Sequence, residues 1–139
     1  MQSDSHERAR HYRASFDLSE LRALYEPAEL DELIDRALAQ LVGLQCALDT
    51  HLAAGGYVDA GHVLHRMTGT ASFFCCSSDA LAALHDAQSA LWSSDPSRIE
   101  AALPHARKVL ATLADALAKV LNARSAAWCA AVPARAPSR

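Results

Sequence analysis

Residues 57–74 have the sequence YVDAGHVLHRMTGTASFF, and this stretch decides the fold class. Its apolar residues recur at alternating spacings of three and four, which is the period of one face of an α-helix and not of a β-strand. The pattern therefore predicts an amphipathic helix over about 58–74, with one face turned towards a core. The residues of that face are Tyr57, Ala60, Leu64, Met67, Ala71 and Phe74.

The same helical spacing continues on both sides of this stretch, and alternating β-branched runs are missing. Capping and helix-breaking residues divide the chain into five predicted helices. Asp17 caps a short helix that ends at Leu24, and Gly55 and Gly56 terminate the second helix. The other four predicted helices cover about 27–54, 58–74, 78–92 and 96–124. Ser77 or Ser78 provides the cap of the helix over 78–92. The last helix extends to Cys129 at most.

Short connections between long amphipathic helices favour antiparallel neighbours. We therefore predict an all-α fold, an antiparallel up-down four-helix bundle with a short additional N-terminal helix. Pro104 lies inside the last helix, where it either kinks that helix or marks its true start. Residues 1–12 and 132–139 have little to bury and are predicted to be flexible, so the bundle domain spans 13–131.

Length and composition indicate one domain, because 139 residues with 51% hydrophobic content suffice for a single core. A net charge of -3 offers no general attraction for nucleic acid or anionic lipid. The longest apolar stretches are much shorter than the roughly 20 residues that span a bilayer. We expect a cytoplasmic protein with no nucleic-acid partner and no membrane insertion. Its four cysteines lack CxxC spacing and are expected to be reduced thiols, with Cys46 in the core.

His65 lies about 120° from the centre of the apolar face of its helix. A glycine inside a helix costs about 1 kcal/mol relative to alanine, so glycines beside one histidine indicate a gain elsewhere. The simplest gain is access, because the absence of a side chain at Gly69 lets a partner approach the imidazole. All the neighbours of His65 on this flank are small: Gly61, Thr68, Gly69 and Ser72.

Histidine is suited to carrying a phosphoryl group, because its ordinary pKa near 6.5 leaves a neutral, nucleophilic ring nitrogen at cellular pH. Phosphoryl transfer depends mainly on alignment and on neutralising charge on the phosphoryl oxygens. One partner is therefore able to supply the metal and the cations while the other presents only the nucleophile. A helix face that carries only a histidine is therefore able to take part in the reaction as the partner that presents the nucleophile.

Residues 65–71, HRMTGTA, resemble the signature of histidine phosphotransfer (HPt) domains. In that signature the phosphorylated histidine is followed by an apolar residue at +2, lysine at +3, glycine at +4 and small residues beyond. The similarity extends over roughly 17–121, through the acidic, leucine-rich second helix, the Gly-Gly turn and the downstream stretch ALAALHDAQSAL.

This resemblance implies a role in two-component signal transduction. His65 would accept a phosphoryl group from an aspartate of one response-regulator receiver domain and pass it to another. The chain itself would bind no cofactor and no metal, since the Mg²⁺ and the catalytic groups belong to the receivers. It contains no ATP-binding kinase motif and is expected to be a free-standing phosphoprotein or part of a hybrid sensor kinase.

One position departs from the family pattern, since Thr68 stands where the lysine is usual. Either Arg66 supplies the missing charge, or transfer is slower, or transfer is lost. In the last case the chain is a non-phosphorylated bundle that binds a receiver or another partner.

His62 and Phe73 are predicted to line the docking surface.

A metal site built from His62, His65, Cys75 and Cys76 is the remaining alternative. Helical geometry argues against it, because the two cysteines would lie about 15 Å further along the axis.

Overall fold

The computed structural model describes residues 18–74 and 77–131, with side chains described as far as residue 123. Every regular element in these ranges is an α-helix, which confirms the predicted all-α class. The predicted cap Asp17 and the two predicted flexible ends, 1–12 and 132–139, lie outside the described residues. The helices in chain order are α1 (Ser19–Leu24), α2 (Pro27–Ala53), α3 (Tyr57–Phe74), α4 (Ser78–Ser93) and α5 (Pro96–Ala131).

A side-chain hydrogen bond caps the N-terminus of each of the last two helices. Ser77 is the cap of α4, since its Oγ accepts a hydrogen bond from the Ala80 backbone N–H at 3.3 Å. Asp95 caps α5, since its Oδ1 accepts from the Ser97 backbone N–H at 3.0 Å. These bonds satisfy amide groups that the first turn of a helix leaves without a helical partner.

The turn between α2 and α3 is formed by the predicted glycine pair. Gly55 has a φ of 77°, in the left-handed region that favours glycine. The Gly56 N–H donates to the His51 carbonyl oxygen at 2.8 Å, which closes the last turn of α2. The chain thus reverses direction immediately before the helix that carries His65.

Pro104 does not mark the start of the last helix. Helix α5 begins at Pro96, continues through Pro104 and reaches Ala131. The side chain of Pro104 is exposed. The predicted start at Pro96 is confirmed, and the alternative of a start at Pro104 is excluded.

Each long helix packs against the next one along the chain, and α5 returns to α2, while α1 packs against α2. This ring of contacts is compatible with a four-helix bundle. Each long helix contributes at least one fully enclosed leucine to a shared core: Leu48, Leu64, Leu84, Leu91, Leu113 and Leu117. Burying one such side chain contributes about 1.5–3 kcal/mol relative to leaving it exposed. The core therefore fixes α3 and α4 side by side. No helix in the described ranges has the length and apolarity to cross a membrane.

The contact between α2 and α5 includes an ion pair on the surface. Arg107 Nη2 lies 2.7 Å from Asp49 Oδ1. Hydrogen bonds from Arg107 and then Gln45 hold the pKa of the Asp49 carboxyl below its ordinary value. An apolar groove beside the pair is lined in part by Cys46, whose thiol is free and whose side chain is exposed. The prediction that Cys46 is a core residue is therefore wrong.

We expect Asp49→Asn to lower the free energy of unfolding slightly at neutral pH, since both partners are exposed to solvent. The pKa of Asp49 is lowered from 3.8, so the stabilisation is present above 3.8 and is lost as pH falls through the lowered pKa. Urea unfolding of both proteins at neutral pH and at about pH 2 should therefore show a difference that shrinks in acid. A difference that is the same at both pH values would contradict this assignment.

Candidate functional site

His65 lies in the middle of α3, on the flank that faces α4. Its side chain is exposed, and its Nδ1 lies 3.0 Å from Oε1 of Gln88. Gln88 belongs to α4 and is only 2% exposed, among the apolar residues with which α4 packs. A surface histidine is thus hydrogen-bonded to a buried amide on the neighbouring helix.

Gln88 is held in turn by Thr68. Gln88 Nε2 donates to Thr68 Oγ1 at 2.8 Å, and Thr68 Oγ1 donates to the Leu64 carbonyl oxygen at 2.8 Å. The hydroxyl has a single proton, so a threonine that donates to Leu64 is only able to accept from Gln88. This fixes the orientation of the amide, with its NH₂ group towards Thr68 and its carbonyl oxygen towards His65.

The orientation of Gln88 determines the tautomer of His65. A carbonyl oxygen only accepts hydrogen bonds, so Nδ1 of His65 must carry the proton. In the neutral ring the lone pair is then on Nε2, which is the nitrogen that the hydrogen bond to Gln88 does not use. The arrangement presents an unprotonated ring nitrogen on an exposed side chain, which is what a nucleophile requires.

Trp92 forms the second contact of His65 with α4. The centroid of its indole lies 6.0 Å from the imidazole centroid of His65 and 6.0 Å from that of His62. The indole packs over Gly61, where an added Cβ would overlap two of its atoms. Gly61 was expected to leave room for a partner beside His65. The room is instead filled by Trp92.

The outer surface of α3 is open around Gly69. A Cβ added at Gly69 would have no neighbouring atom within 4 Å, and the side chains of His62, Arg66 and Ser72 are exposed. At the C-terminal end of the helix Phe73 is 45% exposed and packs edge-on against Phe74, with 5.0 Å between ring centroids. The predicted room for a partner therefore exists at Gly69 and not at Gly61.

Thr68, like Gly61, plays a part that differs from the expected one. Thr68 is 5% exposed, so it supports Gln88 from beneath the surface and does not face a partner. The residues that complete the site, Gln88 and Trp92, were missed because both belong to another helix. The available signal for Gln88 was a polar residue at a core position of α4, between Leu84 and Leu91.

Within the described ranges no three residues of the metal-binding types His, Cys, Asp and Glu gather into a site that would hold an ion. The alternative metal site needs Cys75 and Cys76, which lie outside those ranges.

Comparisons with protein families, with curated proteins and with solved structures found no match to this chain.

We expect Gln88→Leu to release the tautomer of His65. Leucine fills a similar volume but cannot accept the Nδ1 proton, so the Nε2–H form should become populated. Imidazole ¹⁵N chemical shifts measure the two tautomers directly. Gln40→Leu is the control for the glutamine-to-leucine change on an exposed face, because Gln40 accepts from Thr70 at 3.0 Å and has no hydrogen bond to His65. Unchanged His65 shifts in Gln88→Leu would contradict the assignment.

Proposed function

We propose that this chain is a histidine phosphotransfer module of a cytoplasmic phosphorelay, with its four long helices in an antiparallel up-down bundle and His65 as the phosphorylated residue. The observation that carries the proposal is the hydrogen bond from His65 Nδ1 to Gln88, because it leaves Nε2 unprotonated on an exposed side chain. The resemblance of residues 65–71 to the HPt signature supports the same assignment.

The proposed reaction balances without a general base. Nε2 attacks the phosphorus of an aspartyl phosphate on a receiver, the P–O bond to the aspartate breaks, and the aspartate leaves as a carboxylate. No proton needs to leave Nε2. The ring retains its Nδ1 proton and gains a positive charge, which strengthens its hydrogen bond to the Gln88 carbonyl oxygen. Transfer to a second receiver is the reverse of this step.

The charge on the phosphoryl oxygens has to be neutralised by groups other than Thr68. Thr68 is uncharged and its hydroxyl is bonded to Gln88 and Leu64. The Mg²⁺ and cations of the receiver supply most of this neutralisation in the proposed complex. Arg66 is the adjacent residue with a permanent positive charge, and its exposed guanidinium contributes from the other flank of α3.

The receiver docks on the outer surface of α3. Gly69 leaves this surface without a side chain one turn after His65. Two half-exposed aromatic side chains, Trp92 and Phe73, lie near its two ends. Aromatic residues with open surface between them fit a protein partner, since such side chains anchor interfaces.

His65→Gln should abolish phosphorylation. Wild-type protein incubated with Mg²⁺ and receiver domains loaded by acetyl phosphate should acquire label that is labile in acid and stable in base. The chain contains seven histidines, so His105→Gln, an exposed histidine on α5, is the matched control and should keep the label. Label that persists in His65→Gln would refute the assignment.

A second candidate function is a non-phosphorylated interaction module, which the replacement of the family lysine by Thr68 favours. Phosphoramidate, a small donor that phosphorylates histidine without docking, separates the two candidates. Binding of a receiver without labelling by either donor would establish the second candidate and reject the first.

Gly69→Leu should slow transfer from a receiver by about tenfold or more, because a side chain there separates the reacting atoms. Helicity should rise slightly, since leucine is favoured over glycine in a helix by nearly 1 kcal/mol. Labelling by phosphoramidate should remain unchanged. Gly43→Leu provides the control, because Gly43 on α2 also has open space around it. Equal rates for the two variants would show that the receiver does not dock at Gly69.

A further inference from the structure

Trp92 packs beside His65, in the space that the absence of a side chain at Gly61 of α3 leaves. Trp92 is 44% exposed, and its indole packs directly over Gly61. Glycine inside a helix costs about 1 kcal/mol relative to alanine, and the Cβ of an alanine at position 61 would overlap the indole in its present position. The position of Trp92 is therefore maintained at a cost to helix stability.

We propose that Trp92 is a positioning residue, which holds the His65 imidazole in the orientation required for in-line phosphoryl transfer. The inference rests on the proposed function. Gln88 and Trp92 lie one turn apart on the same flank of α4, so they contact the same imidazole from neighbouring points.

The two contacts restrict different motions of the ring. The hydrogen bond to Gln88 fixes the position of Nδ1 but leaves the ring able to swing about that point. The indole, tilted 45° to the imidazole with 6.0 Å between centroids, blocks the swing towards α4. Nε2 therefore keeps one direction relative to an incoming phosphorus, and transfer requires that the attacking nitrogen, the phosphorus and the leaving oxygen lie in line.

The indole also favours the phosphorylated ring electrostatically. The imidazole gains a positive charge when Nε2 bonds to phosphorus and Nδ1 keeps its proton. Tryptophan is the aromatic side chain that attracts cations most strongly, and the His65 centroid lies at about the 6 Å limit for this attraction. The His62 ring lies beside the same indole, with 6.0 Å between the ring centroids.

The test compares Trp92→Ala, Trp92→Phe and Gly61→Ala with the wild type, using phosphoramidate as the donor so that docking plays no part. Trp92→Ala and Gly61→Ala should each slow labelling of His65 by about tenfold, because misplacement by 1 Å has costs of this order or larger. Trp92→Phe should restore most of the rate, since an aromatic ring remains. Gly43→Ala is the matched control for Gly61→Ala, because its added Cβ meets no atom within 4 Å.

Gly61→Ala keeps every enclosed core side chain, so it is informative even if Trp92→Ala fails to fold. Rates for Gly61→Ala and Trp92→Ala equal to the wild-type rate would overturn the inference while leaving the proposed function intact. Absence of label in the wild type would instead reject the proposed function.

A second measurement decides the positioning role without any phosphoryl donor. NMR relaxation of the His65 ring should show a more mobile imidazole in Gly61→Ala than in the wild type. Fluorescence of Trp92 in a Trp128→Phe background, where it is the single tryptophan, should change on replacing His65 by Gln. An equally ordered ring in the wild type and in Gly61→Ala would overturn the inference, whatever the labelling shows.

Discussion

The chain of hydrogen bonds from the Leu64 carbonyl oxygen through Thr68 and Gln88 to Nδ1 of His65 is the interaction on which the site depends. It begins at a backbone group of α3, crosses to a buried amide of α4 and returns to the surface of α3. Each bond determines the direction of the next, because each group has a fixed number of protons to donate. The tautomer of an exposed ring is thereby set by a threonine that is itself buried.

This chain requires the packing beneath it. Gln88 is buried between helices, where a polar group without partners would cost about 1–3 kcal/mol. Its two partners on α3 remove that cost only if α3 and α4 keep their relative position, which the enclosed leucines of both helices ensure. Fold and site are coupled in this way, since a shift of α4 along α3 would break both hydrogen bonds of the Gln88 amide.

The helical period of residues 57–74 was sufficient to predict the helix, the core face and the place of His65, because these depend on local sequence alone. The end of α2 followed from Gly55 and the start of α4 from Ser77 for the same reason. Gln88 and Trp92 were not predicted as site residues, because their contacts with His65 depend on the relative position of two helices. Thr68 and Gly61 were accordingly assigned to an open flank that α4 in fact covers.

In the proposed reaction, Nε2 of His65 is the nitrogen that accepts the phosphoryl group. NMR spectroscopy of protein labelled with ¹⁵N in its histidines, after treatment with phosphoramidate, detects the phosphorus–nitrogen coupling and identifies the bonded nitrogen. We predict coupling to Nε2 of His65, with Nδ1 still protonated. Coupling to Nδ1, or a spectrum in which His65 carries no phosphorus, would contradict it.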